Sequence, residues 1–266
     1  MIKKTIQNIF NFFGYKISKI NTIESTDLDK ITTLLTDVKE PIIFDVGGNV
    51  GQSIERYKKL FPKCKIHSFD PIKYELDKLT LKYQNDKSVI LNNVAIGEKS
   101  GNLDFNINVL SGSSSFKNLI PNTTWIKERS KAINIDSKNF IPETKKINTK
   151  VITLDDYCND ENIHQIDILK IDVQGYEDKV LEGAIKLLKM NKIKLIQLEL
   201  IFSEIYQDTL SIYDVEKYLI PNKYTLFGIS NAGSLITHYI YQQDHIYISG
   251  DTYENFKKNK SPYFNN

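Results

Sequence analysis

The chain alternates short continuous apolar runs with longer stretches in which apolar residues recur every three or four positions. That is the pattern of buried strands alternating with amphipathic helices. Pro41-Ile-Ile-Phe-Asp45 is an apolar run ended by an acid, as a parallel strand covered on both faces requires. Gly47, Gly48 and Gly51 follow, and a helix from about Gln52 carries Ile54, Tyr57, Leu60 and Phe61. Lys65-Ile-His-Ser-Phe-Asp70 reads as the second strand, and Tyr74, Leu76, Leu79 and Tyr83 as the next helix, entered through Pro71. Residues 89–96 read as a third strand and 103–109 as an added, alternating one; the chain returns to extended structure at 150–155. Residues 167–175 repeat the opening arrangement, with Asp172 at a strand end and a helix bearing Val180, Leu181, Ala184, Leu187 and Leu188 behind it. Residues 194–201, which include Glu199, form another buried strand. A helix at 211–219 and closing strands at 224–229, 235–241 and 245–249, with an antiparallel hairpin among them, complete the pattern.

Two segments depart from it. Ile2, Ile6, Ile9, Phe10, Phe13, Ile17 and Ile20 fall at helical spacing, with Lys3, Lys4, Lys16 and Lys19 elsewhere on the wheel. This predicts an amphipathic cap packed on the main domain or on a second subunit in a homo-oligomer, the alternative being weak attachment to a membrane surface. A short helix follows at 26–38. Residues 117–148 lack a sustained period and read as an excursion from the sheet, either a functional lid or a surface insertion. The expected organisation is a helical cap at 1–38, one α/β domain at 39–250 with an insertion at 117–148, and a tail at 251–266.

Composition narrows the function. A chain of 266 residues suffices for one large α/β domain with a sizeable core. The net charge of +2 provides no basic field, which disfavours nucleic acid as the partner. Cys64 and Cys158 are far apart in sequence and form no metal or redox motif, so a reducing cytoplasm is the expected compartment, with peripheral contact at the inner membrane face as a variant. No run of about 18 apolar residues is present to span a bilayer, and polar residues interrupt any signal-peptide core near Met1, which argues against secretion.

The candidate chemistry gathers on the glycine turn. A dinucleotide fingerprint requires glycine at position 46, where Val46 stands, so a nicotinamide enzyme is disfavoured. What stands here is D-x-G-G-N-x-G: Asp45, Gly47, Gly48, Asn49 and Gly51. It resembles motif I of class I S-adenosylmethionine methyltransferases, in which the glycines let a ligand approach the backbone and the helix N-terminus faces it. Asp70 lies about 20 residues further on, the spacing of an acid that accepts ribose hydroxyls. The same aspartate suits an N-cap, with Pro71 and Ile72 beside it. The end of the third strand (Asn93, Val94, Ala95) is expected against the adenine. Parallel strands share one carboxyl rim, so Asp172 and Glu199 are expected to meet at the cofactor end, although each also suits a cap or a surface charge. Ser113, Ser114 and Ser115, in a loop of small residues, are candidates for the acceptor side or for a plain polar connection. Trp125 and Arg129 suit a sugar face and a phosphate. His238 is placed with the acceptor residues, though it and His245 also read as ordinary strand histidines.

Taken together, Phe44-Asp-Val-Gly-Gly-Asn-Val-Gly51, Phe69-Asp-Pro71, Asn93-Val-Ala-Ile-Gly97, Gly112-Ser-Ser-Ser115, Thr153-Leu-Asp155, Asp167-Ile-Leu-Lys-Ile-Asp-Val-Gln-Gly-Tyr-Glu177, Val180-Leu-Glu-Gly-Ala184 and Gln197-Leu-Glu199 resemble the FkbM family of methyltransferases. Position 70 is Asp where that family more often has Glu, and position 174 is Gln where Glu is common. The resemblance implies a Rossmann-like seven-stranded, mostly parallel sheet with helices on both faces. It also implies S-adenosylmethionine as cofactor and methylation of a hydroxyl, of a nucleotide sugar or a glycan. Asp172 is the candidate base with Glu199 and Lys170 beside it; alternatively Asp172 and Glu199 hold a divalent metal. The rival readings are a non-catalytic cofactor-binding subunit of a glycan-assembly complex and an O-methyltransferase of a lipid or natural-product hydroxyl.

Overall fold

The computed structural model describes residues 27–141, 144–230 and 240–259. The amphipathic segment at 2–20 and His238 lie outside them. Strands β1 (Ile42–Val46), β2 (Lys65–Phe69) and β3 (Val89–Asn92) pair in parallel on one side of the sheet. β7 (Ile166–Ile171) and β8 (Ile193–Ile201) continue it in parallel on the other side of β1. β10 (Gln242–Ile248) runs antiparallel to both β8 and the edge strand β9 (Thr225–Ile229), which gives the order β3-β2-β1-β7-β8-β10-β9. The fold is therefore the Rossmann-like sheet expected, and the chain reverses about β1, where neighbours on opposite sides part and leave a crevice at the strand ends.

Strand period two assigns each apolar side chain to a face. Phe44, Leu169 and Ile196 point to one side and pack with Leu181, Leu188, Val215 and Leu219. These come from α7 (Glu177–Glu182), α8 (Ile185–Lys189) and α9 (Ile212–Leu219). Ile43, Ile168 and Leu195, one residue earlier on the same strands, point to the other side and pack with Ile31, Leu35, Ile54, Tyr57 and Leu79. Those belong to α1 (Leu28–Leu35), α2 (Gln52–Leu60) and α3 (Lys73–Tyr83). The helix expected across 180–188 is split at Gly183, where an added Cβ would lie 2.1 Å from the Gly97 carbonyl oxygen.

Several expectations are corrected. The third strand does not run to residue 96: β3 stops at Asn92, and β4 (Ala95–Ile96) joins a separate three-stranded sheet with β5 (Gly101–Ile107) and β6 (Lys145–Ile152). Asn93 marks the break, donating from Nδ2 to the Asp70 carbonyl, 3.1 Å away. β6 begins at Lys145, inside the expected excursion, because it pairs antiparallel with the whole of β5, and it stops at Ile152, short of the expected 155, where Thr153 caps α6 (Leu154–Asp160). The remainder of that excursion contains α4 (Thr124–Ala132) and α5 (Ser137–Phe140), capped by Thr123 and Asp136. Leu119, Ile126 and Phe140 pack with Ile201, Ile205 and Tyr206 into a core of its own beyond the end of β8. Gly250–Asn259, expected as the beginning of a tail, is a helix whose Phe256 stacks edge-on with Phe227. Among the described residues no helix is long and apolar enough to cross a membrane.

Candidate active site

The strand ends around β1 open into a cavity of about 640 Å³, within the usual small-molecule range of roughly 300–1,000 Å³. One wall is backbone. The N–H groups of Gly47 and Gly48 donate to the Phe69 carbonyl at 3.0 and 3.1 Å, which draws the turn across to β2. Gly47 has φ +89°, and a Cβ there would lie 1.9 Å from the Asp172 carbonyl oxygen, so only glycine lets the β1 and β7 ends close on each other. Gly51 is the N-cap of α2 and supplies no side-chain cap, leaving the helix's first-turn N–H groups unclaimed by one beside the cavity-lining Gln52 and Ser53.

Asp70 lies at the same wall, 5 % exposed. Its Oδ2 accepts from the Asn49 N–H and its Oδ1 from the Ile72 N–H, both at 2.8 Å. Burial pushes its carboxyl up to about 6 despite those two bonds. The carboxylate thus shapes the glycine turn and the entry to α3, whose N-cap is Ile72, while still lining the cavity. Phe69, Ile72, Ala95, Ile96, Phe105 and Phe116 form the apolar surface next to it, fit to receive an aromatic base.

The floor carries the charge. Lys170, buried on β7, places Nζ 3.0 Å from Asp172 Oδ2 and 3.8 Å from Asp45 Oδ1. Burial opposes its ammonium, but Asp172 and Asp45 outweigh that and hold it charged. Burial pushes the Asp172 carboxyl up, yet Lys170 and the Gln174 amide bring it below the ordinary value. Asp45 is fully buried and burial raises its carboxyl; its Oδ1 has no hydrogen-bond partner among the described residues. Glu199 accepts from Gln174 Nε2 at 3.1 Å and from Gln242 Nε2 at 2.6 Å. Burial, then Asp172 and Asp244, push it up to about 8.

The far wall comes from the serine loop and the excursion that follows it. Ser111 Oγ donates to Asn49 Oδ1 at 3.1 Å, which fastens the serine loop to the glycine turn. Ser113 and Ser114 line the cavity, whereas Ser115 is buried behind it, donating from Oγ to the Gln174 carbonyl at 2.7 Å. Trp125 and Arg129 line the outer part, with the guanidinium 5.8 Å from the indole centroid. Arg56, the other arginine, is committed elsewhere, to Asp29 and Gln197.

Of the candidates from sequence, Gly47, Asn49, Asp70, Pro71, Ile72, Ala95, Lys170, Asp172, Glu199, Ser113, Ser114, Trp125 and Arg129 all line one cavity. Asp45, Gly48, Gly51, Asn93, Val94 and Ser115 do not line it. His245 is buried on β10 and pushed below its ordinary value by burial. The sequence reasoning missed Gln174, Tyr206, Gln242, Phe105 and Phe116. Only Gln174 carried a signal, as a departure from the common residue at its position. A divalent metal does not suit this floor: the Asp172 oxygens already meet an ammonium and an amide N–H, and an amide N–H stands between the two carboxylates. Among the described residues no group of three His, Cys, Asp or Glu is placed to hold an ion.

The crevice thus lies at the strand ends of a Rossmann-like sheet, between a glycine turn, an acid just past β2 and a floor of carboxylates. The model of the methyltransferase FkbM domain matches residues 45–251, and the chain belongs to that family. The 2-O-methyltransferase NoeI of Sinorhizobium fredii is 25 % identical over 176 residues, covering 66 % of this chain and 70 % of that protein. The methyltransferase sdnD of Sordaria araneosa is 27 % identical over 164 residues, covering 54 % of this chain and 60 % of that protein. An rRNA methylase from Streptococcus thermophilus superposes with a TM-score of 0.44 at 10 % identity, covering 87 % of this chain and 99 % of that one, a likeness too loose to carry any residue across.

Proposed function

We propose that this methyltransferase uses S-adenosylmethionine to methylate a hydroxyl, and that the hydroxyl belongs to a sugar, nucleotide-linked or part of a glycan. The observation that carries this reading is the single cavity in which the glycine turn and Asp70 face Trp125 and Arg129 across a floor of Lys170, Asp172 and Glu199. Family membership supports the methyl transfer, and the name of the NoeI relative supports oxygen as the acceptor atom.

The cofactor supplies an electrophilic methyl on a sulfonium, so the chain's residues chiefly position, exclude water and receive a proton. Asp70 would accept the ribose hydroxyls with lone pairs left over from its two backbone bonds. Ile72, Ala95, Phe105 and Phe116, which line the cavity, would enclose the adenine. Asp172, with the buried Asp45 behind it, would supply negative charge toward a bound sulfonium, partly balanced by Lys170. Trp125 offers a flat apolar face to a sugar ring, and Arg129 a fork for a phosphate or carboxylate.

The test is mass spectrometry of reactions with S-adenosylmethionine and a panel of nucleotide sugars and glycans, with added divalent metal and with chelator. A methylated product in one lane, unaffected by chelator, is the expected result. Binding of S-adenosylhomocysteine with no product in any lane points instead to a non-catalytic subunit, and methylation of lipid or natural-product alcohols alone to a different acceptor class.

A further inference from the structure

Resting on the methyl-transfer reading, we propose that Glu199 takes the proton from the acceptor hydroxyl, and that Gln174, held by Tyr206, is the residue that positions it. Asp172 is poorly suited to that task. Its Oδ2 meets the Lys170 ammonium at 3.0 Å and its Oδ1 the Gln174 amide at 2.9 Å, so a cation balances its charge. Such a carboxylate is a weak base.

Glu199 differs in its partners. Both of its oxygens accept from neutral amides, Gln242 and Gln174, and among the described residues no cation forms an ion pair with it. Burial, then Asp172 after β7, Asp244 on β10 and Glu177 on α7, oppose its ionisation; of the charges around it, Lys170 favours it. The result is a carboxyl pushed up to about 8, far better matched to a hydroxyl proton than Asp172.

Gln174 sets this difference. Its Nε2 donates to Asp172 Oδ1 and Glu199 Oε2, and its Oε1 accepts from the Tyr206 hydroxyl at 3.1 Å. Turning the amide over would set its oxygen against both carboxylates, so the orientation is fixed by the network. The backbone is fixed too. Gln174 sits at φ +59°, a left-handed conformation that a residue with a Cβ rarely adopts. Ser115 holds its carbonyl, and Glu177 accepts from the N–H groups of Val173 and Gly175 on either side. Tyr206 shares its hydroxyl proton between Gln174 and the Ser113 carbonyl, 2.7 Å away, and bridges to Leu119 through its backbone. The serine loop on the acceptor side and the proton-accepting carboxylate therefore hang from one scaffold.

In the step itself, the acceptor oxygen bonds to the methyl carbon as the carbon–sulfur bond breaks, with its electron pair passing to sulfur. The hydroxyl proton passes to Glu199. The products are a methyl ether, a neutral thioether and a protonated carboxyl.

The test combines kinetics with a readout on the free protein. Glu199→Gln is expected to lower kcat by about 100-fold or more, with S-adenosylhomocysteine affinity by calorimetry unchanged. In the wild type, kcat/KM rises with pH and levels above about 8, and carboxyl carbon NMR shows a glutamate titrating near 8 that is missing from Glu199→Gln, beside Glu177, which burial pushes up to about 7 and which remains in the variant. Gln174→Glu adds a negative charge and moves both midpoints up by about one pH unit, whereas a residue serving only the fold would change stability and leave the midpoints in place. A Glu199 carboxyl that titrates in the ordinary glutamate range, or a Glu199→Gln protein that keeps turnover and the same pH limb, overturns the assignment while the methyl-transfer reading stands. A wild type that binds S-adenosylhomocysteine and methylates no acceptor sinks the methyl-transfer reading, and this assignment with it.

Discussion

The two walls of the cavity are built on different principles. The wall beside β1 and β2 is mainly backbone, a glycine turn whose N–H groups reach across to Phe69 and a helix terminus left without a side-chain cap. The opposite wall is side chains carried by separate segments: Ser113 and Ser114 from a loop, Trp125 and Arg129 from α4, Ile205 from beyond β8 and Gln242 from β10. On the proposed function, the backbone wall takes the cofactor. A side-chain wall can be rewritten residue by residue, which suits it to the acceptor.

The sharpest way to break the contrast is to damage one wall and read both. Phe140 is fully buried in the core of the excursion, and Phe140→Ala is expected to cost about 3–5 kcal/mol there. Acceptor turnover should collapse while S-adenosylhomocysteine affinity by calorimetry stays within a few-fold; equal loss of both would mean the walls are not separable. Gly47→Ala is the converse. A Cβ that must displace the Asp172 carbonyl, at a left-handed φ, is expected to destabilise by about 3 kcal/mol and to abolish cofactor binding, checked by urea unfolding and calorimetry.

Asp70→Ala is milder, weakening S-adenosylhomocysteine roughly ten-fold through lost charge-assisted bonds. Asp70 also has a pH signature. Its carboxyl sits near 6 in the folded protein against 3.8 as the reference value, so the folded state holds the proton more tightly. Its contribution favours folding at low pH and is lost as pH rises from about 4 through 6. The stability of wild type relative to Asp70→Asn should therefore fall across that window in urea titrations, and a flat difference would contradict the buried placement. The smallest effect is expected from Trp125→Ala, a few-fold rise in acceptor KM from the lost ring face and the cation–π contact with Arg129, with cofactor affinity untouched.

The same contrast explains what could be read from the sequence. Strand ends, glycines and their spacing are backbone properties with a local signature, so Gly47, Asp70, Asp172 and Glu199 were all placed on the right rim. The far wall depends on contacts between residues distant in sequence, such as Tyr206 with Ser113 and Gln242 with Glu199. One tyrosine among fifteen carries no local mark of that. The helices of the excursion were hidden for a related reason: only Ile126 and Ser130 of α4 are buried, too few to impose a period. Asn93 ended β3 early because its side chain is needed by the Asp70 backbone, a demand that strand pattern does not encode.

The excursion's separate core also bears on how such a protein changes over generations. Leu119, Ile126 and Phe140 pack on one another and on the end of β8, outside the two clusters that hold the sheet. Substitutions that retune this unit leave the burden of folding to the rest of the chain. On the proposed function, the acceptor wall can therefore be altered within this unit and the separate segments beside it without rebuilding the two clusters that hold the sheet.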